Sequence, residues 1–423
     1  MGRVVFLSLP FYGHTNPAVG LVRELVKRGE EVIYYSTSEF KSRIEAEGAV
    51  FKSYRSLEAV YSHNGVDSMD KIINSIRNVN DINSLAIELH RDVKASKGVI
   101  DDIYIEVEKI KPDYIIHDSG AMWGKIIARK LNLSSIAYIT TLAYCDKIFD
   151  KAPEFAVKNI LKLDDSYLNN VDNTKKMVST LSKSVGKLYG MENIEFLDRF
   201  FSIENLNIVF TSEMFQPYSE CFDSSYKFVG PSIYDRGDKT GFPFERLDSK
   251  PLIYIAMGSH LGFSERCMDL YKKCFEAFGN ENVQVVLAKG KNIDKGLLDE
   301  VPDNFIIESF VPQIEILERT QLFITHGGMN SVSEGLYHGI PLIVFPQVTD
   351  QFMNATRVEE LGAGVYIKES NITTEFLKSV AEKLLFEEGY RNRSREIASS
   401  FKESGGCSRA AEEILDYISI SRR

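Results

Sequence analysis

Short apolar segments rich in β-branched residues alternate with amphipathic segments of helical period along both halves of the chain. This alternation is typical of parallel sheets with helices on both faces, and it predicts an α/β fold. Ligands of such folds bind at the carboxyl ends of the strands. The pattern predicts strands at Val4–Leu9, Glu31–Ser36, Tyr114–His117, Ile136–Ile139, Leu252–Ala256, Gln284–Ala288, Phe305–Ile307, Leu322–Thr325 and Leu342–Phe345. It predicts helices between them, among which are Ala18–Lys27 and Ser264–Phe278.

The length of 423 residues exceeds what one hydrophobic core usually serves, so we expect two doubly wound domains. A polar stretch containing glycine and aspartate follows Phe228-Val229-Gly230-Pro231 and predicts a linker. The expected division is an N-terminal domain at 1–225, a linker at 226–250, a C-terminal domain at 251–403 and a C-terminal helix at 404–423. That helix is expected to pack on the N-terminal domain.

Composition disfavours several classes of function. The net charge of −10 argues against nucleic acid or an anionic membrane surface as the main partner. The five cysteines lack metal-binding spacing, which fits reduced, buried thiols and predicts a cytoplasmic protein. No apolar run reaches membrane-spanning length, and the first residues enter a strand without the apolar region of a signal peptide.

The run His326-Gly327-Gly328-Met329-Asn330-Ser331-Val332-Ser333-Glu334 follows a predicted strand and opens a predicted helix. Its glycines let a ligand approach the backbone closely, and the first N–H groups of a helix attract anions. Asn330 and Glu334 are four residues apart and therefore share one helix face. We interpret the run as a nucleotide site, with phosphates at the helix start and ribose hydroxyls on Glu334. The alternative is an ordinary helix cap followed by a solvated glutamate.

Further polar motifs follow other predicted strands. The carboxyl ends of parallel strands meet at one edge of a sheet, so these motifs are expected to line ligand sites. They are Gly13-His14-Thr15-Asn16-Pro17, Met257-Gly258-Ser259, Phe310-Val311-Pro312-Gln313 and Asp350-Gln351.

With these motifs the chain resembles the GT-B nucleotide-sugar glycosyltransferases, above all the UDP-dependent small-molecule glycosyltransferases of family 1 and their bacterial macrolide-type members. The resemblance runs from His14 to Gly405-Gly406-Cys407-Ser408-Arg409-Ala410-Ala411, and its most specific part is Phe310–Gln351. It implies two Rossmann-like domains that face each other across a cleft. Plant members carry tryptophan where this chain has Phe310 and Met329.

The resemblance also implies a role for each matching residue. The nucleotide-binding residues are Phe310 and Val311 at the base, Gln313 and Glu334 at the ribose, and Ser259, His326, Gly328, Asn330 and Ser331 at the diphosphate. Asp350 and Gln351 are implied to hold the hydroxyls of the sugar. Donors and a helix N-terminus then face the phosphates, while acceptors face the hydroxyls.

His14 follows the first predicted strand and is the candidate general base. A neutral imidazole there can take the proton from an attacking hydroxyl. Asp118 follows the predicted strand Tyr114–His117 and can orient the ring and stabilise the imidazolium. The alternative for Asp118 is a helix N-cap before Ala121–Lys130. His117 is expected on the opposite face of the strand.

These expectations combine into an inverting glycosyltransferase that moves a sugar from a UDP-sugar to a hydroxyl of a hydrophobic small molecule, such as a flavonoid or a macrolide. Gln351 closes the sugar motif as in glucose-preferring members of the family, so the resemblance implies glucose as the sugar. One displacement by a base-activated hydroxyl inverts the anomeric centre. The UDP-sugar is a co-substrate, and no cofactor is expected. No metal is expected, because the chain lacks an Asp-x-Asp pair.

Other functions fit parts of the sequence. The same fold serves membrane-lipid glycosyltransferases and nucleotide-sugar epimerases. A non-catalytic activator of a partner transferase would be expected to lose His14 or the phosphate residues, which this chain keeps. A dehydrogenase is disfavoured, because the first turn lacks the glycine fingerprint. The expected partners are a UDP-sugar and a hydrophobic acceptor, without nucleic acid or membrane, and the oligomeric state stays open.

Overall fold

A computed structural model describes residues 2–61, 81–190, 198, 202–234, 236, 241–258, 265–290, 293, 301–348, 350–368 and 372–421. The chain divides into two compact units. The first unit joins Met1–Ser232 to Ser404–Arg423, and the second is the continuous segment Ile233–Glu403. Within the described ranges, no helix combines the length and the apolar character that crossing a membrane requires.

A sheet of seven parallel strands forms the first unit. The strands are β1 (Arg3–Leu7), β2 (Glu31–Ser36), β3 (Val50–Ser53), β4 (Tyr114–Asp118), β5 (Ser135–Ile139), β6 (Asn207–Val209) and β7 (Tyr226–Phe228). Their spatial order is β3-β2-β1-β4-β5-β6-β7. The helices are α1 (Tyr12–Lys27), α2 (Lys41–Ala46), α3 (Arg55–Tyr61), α4 (Ile82–Ile110), α5 (Met122–Leu131), α6 (Lys147–Lys151), α7 (Pro153–Phe155) and α8 (Val171–Leu188). Shorter helical segments lie at Ser38–Phe40, Ala156–Leu161, Asp165–Asn170 and Ser219–Cys221.

A sheet of six parallel strands forms the second unit. The strands are β8 (Leu252–Ala256), β9 (Gln284–Ala288), β10 (Phe305–Glu308), β11 (Leu322–Thr325), β12 (Leu342–Val344) and β13 (Gly364–Tyr366). Their spatial order is β10-β9-β8-β11-β12-β13. The helices are α9 (Glu265–Phe278), α10 (Gln313–Leu317), α11 (Met329–Tyr337), α12 (Asp350–Glu360), α13 (Thr374–Phe386) and α14 (Glu388–Glu403), with a short turn at Phe244–Arg246. The final helix, α15 (Gly406–Ser421), belongs to the first unit.

Burial on both faces explains why the central strands read as continuous apolar runs. The residues of β4 are all buried, and so are those of β8. In the second unit the rings of Tyr254 on β8 and Phe323 on β11 stack with their centroids 4.8 Å apart. Each sheet therefore has its own apolar core, as the strand pattern predicts.

The strand order of each sheet reverses beside its first strand, and that reversal positions the candidate site. In the first unit β1 lies between β2 and β4, and in the second β8 lies between β9 and β11. Ligands of doubly wound sheets bind outside the carboxyl ends at such a reversal. His14 follows β1 and Asp118 ends β4, whereas Gly258 follows β8 and His326 follows β11.

The C-terminal helix α15 packs on α1. The backbone N–H of Gly406 donates to the carbonyl of Val229 at 2.6 Å, and Arg28 forms an ion pair with Glu412 at 3.2 Å. The segment 226–250, predicted to be a linker, differs from the expectation. Its first residues form β7, the edge strand of the first sheet, and the division between the units falls after Ser232.

Candidate active site

His14 lies in the first turn of α1, whereas the sequence predicts it in the turn that precedes that helix. Its Nδ1 is 2.7 Å from Oδ2 of Asp118. A carboxylate can only accept, so this bond places the ring proton on Nδ1 and the lone pair of the neutral ring on Nε2. The Asp118 side chain is fully buried, whereas 24% of the His14 side chain is exposed. The structure therefore brings the two predicted catalytic residues together.

The second oxygen of Asp118, Oδ1, accepts the backbone N–H of Gly120 at 2.8 Å. The N-cap position of α5 is Ala121, and no side chain caps that helix. The alternative of Asp118 as a helix N-cap is therefore wrong, since its carboxylate holds the preceding turn and His14. Thr140, which follows β5, places its Oγ1 3.1 Å from His14 Nδ1. The sequence analysis missed Thr140, although its position after a strand was a usable signal.

The glycine turn after β11 encloses the ring of His326. A side chain on Gly328 would place its Cβ 2.6 Å from His326 Nε2, and one on Gly258 would place its Cβ 2.9 Å from the same atom. Gly258 also has a φ of +84°, which side chains rarely adopt. The ends of β8 and β11 therefore approach so closely at this ring that only glycine fits at both positions.

The pKa of His326 is lowered to about 4 by burial, against the opposing effects of the Asp350 charge and a hydrogen bond to the Ala256 backbone. The ring is consequently neutral near pH 7. It can donate a hydrogen bond to an anion but brings no positive charge. Asn330 and Ser331 lie in the first turn of α11, whose N-cap residue is Gly328 and provides no side-chain cap.

Glu334 lies on α11 and is almost fully buried. Its Oε1 forms an ion pair with Arg236, and its Oε2 accepts Gln313 Nε2 at 2.5 Å. Gln313 in turn accepts the hydroxyl of Tyr254 at 2.9 Å. The two residues predicted at the ribose are thus adjacent. The alternative of a solvated glutamate is wrong, because a buried ion pair holds this one. Arg236 and Tyr254 were missed by the sequence analysis.

The first turn of α12 carries Asp350 and Gln351, the residues predicted at the sugar. The side-chain oxygen of Gln351 accepts the backbone N–H groups of Gln347 and Val348, at 2.8 and 3.1 Å. Gln351 therefore also fixes the loop after β12. Asn354 donates to the carbonyl of Gly327 at 2.9 Å and lies 3.5 Å from Asp350 Oδ2. Asn354 ties this helix to the glycine turn, and its spacing of four from Asp350 was a signal that the sequence analysis did not use.

The remaining predicted residues lie between β10 and α10 or outside the described ranges. Phe310 is 43% exposed, and Val311 is buried. Ser259 lies outside the described residues. His14 and Asp118 belong to the first unit, and all the other predicted site residues belong to the second.

Known proteins are similar to this chain in sequence and in fold. The family described as "Erythromycin biosynthesis protein CIII-like, C-terminal domain" matches residues 273–408. The protein named "Uncharacterized UDP-glucosyltransferase YojK" of Bacillus subtilis (strain 168) is 33% identical over 419 residues, which cover 99% of this chain and 98% of that protein. The chain belongs to the UDP-glycosyltransferase family.

Two further likenesses support this membership. The NDP-glycosyltransferase YjiC of the same Bacillus strain is 31% identical to this UDP-glycosyltransferase, with 99% of this chain and 98% of YjiC covered. The crystal structure of CalG4, described as the calicheamicin glycosyltransferase, matches with a TM-score of 0.78 at 23% identity over 99% of this chain and 98% of CalG4. The predicted enzyme class, GT-B fold and bacterial macrolide-type family are thereby confirmed.

Proposed function

We propose that this UDP-glycosyltransferase transfers glucose from UDP-glucose to a hydroxyl of a hydrophobic small molecule, with inversion at the anomeric carbon. The observation that carries the proposal is the 2.7 Å bond between His14 Nδ1 and Asp118 Oδ2. The proposed acceptor is a natural product of the aromatic or macrocyclic kind, by analogy with CalG4, which is described as the calicheamicin glycosyltransferase. UDP-glucose is proposed as the donor because the similar protein YojK is named a UDP-glucosyltransferase.

In this mechanism His14 Nε2 takes the proton of the acceptor hydroxyl while its oxygen attacks the anomeric carbon. The bond between that carbon and the diphosphate oxygen breaks in the same step, and the electron pair leaves with UDP. The Asp118 carboxylate keeps Nδ1 protonated and stabilises the imidazolium that forms. Attack from the side opposite to the leaving group inverts the configuration.

The second unit supplies the groups for the donor. The ring of Phe310 stacks on the base, the Val311 backbone meets its edge, and Glu334 with Gln313 accepts and donates at the ribose. His326, Asn330 and Ser331 donate to the diphosphate beside the first turn of α11, where the helix dipole favours negative charge. Asp350 accepts hydrogen bonds from hydroxyls of the sugar. Hydrogen-bond donors and the dipole stabilise the departing UDP without a metal ion.

Product analysis tests this proposal. The protein is incubated with UDP-glucose and, separately, with UDP-galactose and TDP-glucose, each with a flavonoid, a macrolide and a steroid acceptor. We expect a mass increase of one hexose, mainly from UDP-glucose, and a β-glycosidic proton in the NMR spectrum of the product. The variant His14→Ala serves as the matched control for catalysis. An α-linked product, or equal yields from wild type and His14→Ala with an alkyl alcohol, would contradict the proposal.

A further inference from the structure

A second pair of histidine and carboxylate lies behind the first. His117 precedes Asp118 on β4, and its side chain is fully buried. His117 Nε2 is 3.1 Å from Oε1 of Glu204, and Nδ1 is 2.9 Å from the backbone oxygen of Asp118. Strand alternation predicts that His117 and Asp118 lie on opposite faces of β4. In agreement, the His117 ring contacts Glu204, whereas the Asp118 carboxylate contacts His14.

Both neighbours of the His117 ring are hydrogen-bond acceptors. A backbone carbonyl has no proton to donate, and an ionised carboxylate has none either. Burial by itself would raise the pKa of Glu204, but the hydrogen bond and charge of His117, together with the nearby Lys125, hold it below its ordinary value. Glu204 is therefore a carboxylate at neutral pH. Both ring nitrogens of His117 must then donate, which requires a doubly protonated imidazolium.

The charges around the ring fit a cation. Lys125 on α5 forms an ion pair with Asp198 at 2.5 Å, and about a twentieth of each side chain is exposed. Among the described residues, Glu204 places its carboxylate against the His117 ring, while Asp198 is paired with Lys125. A protonated His117 therefore gives the Glu204 carboxylate, which is 13% exposed, a cation in direct hydrogen-bonding contact, and this contact favours the charged ring.

Packing holds the ring in place. A Cβ on Gly124 of α5 would lie 2.3 Å from His117 Cβ and 2.8 Å from Cγ. Only a glycine lets the helix pass this close, so the ring cannot turn toward α5. The carbonyl that His117 reaches also accepts the backbone N–H of Ala121 at 2.9 Å. That carbonyl belongs to the residue whose carboxylate holds His14.

We propose that His117 is a buried imidazolium that fixes the backbone of Asp118 through its carbonyl and thereby positions the Asp118 carboxylate on His14. His117 is a positioning residue, and this role rests on the proposed function of His14 as general base. If Nδ1 of His117 carries no proton, the bond to the Asp118 carbonyl is lost. The orientation of the dyad then relaxes, and turnover falls.

The protonation state is tested by NMR on protein labelled with ¹⁵N at its histidines. The peaks of His117 are assigned by their loss in His117→Asn and followed from neutral to alkaline pH. We expect two protonated ring nitrogens at neutral pH, and a neutral ring in Glu204→Gln, where the ring loses the carboxylate charge. Glu220→Gln, at an exposed ion pair with Lys151, is the matched control and should leave His117 protonated. A neutral ring in the wild type would overturn the inference.

The positioning role is tested by kcat and the donor KM with an alkyl alcohol acceptor. We expect Glu204→Gln to lower kcat about tenfold and to leave the KM for the donor unchanged, because a misplaced dyad affects the reacting geometry and not donor binding. The control Glu220→Gln should leave both values unchanged. An unchanged kcat in Glu204→Gln with a confirmed imidazolium would overturn the positioning role. Full activity of His14→Ala would instead contradict the general base, independently of the NMR result.

Discussion

The guanidinium of Arg236 forms an ion pair with the carboxylate of Glu334, with only 10% and 3% of the two side chains exposed. Gln313 donates to the other oxygen of the same carboxylate. Removing either of these two buried charges is expected to destabilise the fold, because the charge that remains would be buried without a partner. The carboxylate that we propose for the ribose is thus held in place by two partners before any ligand binds.

The first prediction concerns the stability of this pair. Arg236→Gln should lower the free energy of unfolding by about 3–5 kcal/mol, because it leaves Glu334 buried and without its guanidinium. The double variant Arg236→Gln with Glu334→Gln should recover most of that loss. Urea unfolding of the four proteins measures the coupling. The same cycle on the exposed pair Lys151 and Glu220 is the control and should give little coupling, because solvent screens exposed charges. Additive losses at Arg236 and Glu334 would disprove the coupling.

The second prediction separates nucleotide from sugar recognition. Asp350→Ala should cripple transfer and leave UDP affinity nearly unchanged, because its proposed partners are sugar hydroxyls. Glu334→Gln should weaken UDP itself, since its proposed partner is the ribose. Calorimetry with UDP, alongside kcat and KM for the UDP-sugar, distinguishes the two. Equal losses of UDP affinity in both variants would contradict this division.

The third prediction is metal independence. The described residues contain no group of three or more His, Cys, Asp or Glu side chains arranged to hold a metal ion. Donors and the dipole of α11 are proposed to stabilise the departing diphosphate instead. Activity should therefore survive exhaustive treatment with EDTA. A rate that collapses on chelation and returns only with magnesium or manganese would show that this account of the leaving group is wrong.

The fourth prediction is a pH dependence of stability at His326. Its pKa is about 4 in the folded protein, below the ordinary 6.5, so the unfolded chain binds a proton first as the pH falls. The stability that comes from the neutral ring is complete above 6.5 and is lost as the pH falls toward 4. Relative to His326→Asn, the wild type should lose about 2 kcal/mol between pH 7.5 and pH 5. Denaturation of both proteins across this interval measures the difference, and a constant difference would refute it.

The fifth prediction is that the need for His14 depends on the acidity of the acceptor. His14→Ala should lower turnover of an alkyl alcohol by roughly 10²–10⁴-fold, the usual range for loss of a general base. A phenol of low pKa supplies its own anion and should lose less. Asp118→Asn should show a smaller effect of the same form. The rate ratio of wild type to His14→Ala across phenols of graded pKa is the measurement. A ratio near one for every acceptor would remove His14 from the mechanism.

The central strands were predictable because they are buried on both faces and leave long apolar runs. Strands β3, β6, β7 and β13 were not predictable, because strands of three or four residues that include polar or glycine positions carry no distinct period. For this reason Tyr226–Phe228 was predicted as part of the linker, although it forms β7. The βα turns, by contrast, contain glycines and polar residues at fixed offsets from a strand, and they marked the site directly.

Site residues were predictable where a motif follows a strand, and the structure brings His14 to Asp118 and Gln313 to Glu334. Arg236 lies in a polar stretch without a period, so no local pattern connects it to a glutamate on α11. The bonds of Gln351 to the loop after β12 depend on how that loop folds back, which sequence spacing does not specify. The sequence therefore did not show those contacts in which one partner lies outside a strand-end motif or depends on how a loop folds back.

The second unit is inserted into the first, since the chain leaves the first unit after Ser232 and rejoins it at Ser404. A single uninterrupted gene fragment can encode the second unit, whereas the first needs both ends of the chain. Exchanging the second unit between relatives therefore requires two junctions. A chimera with one crossover would give α1 a foreign α15, and the Arg28–Glu412 pair would have to be restored by design.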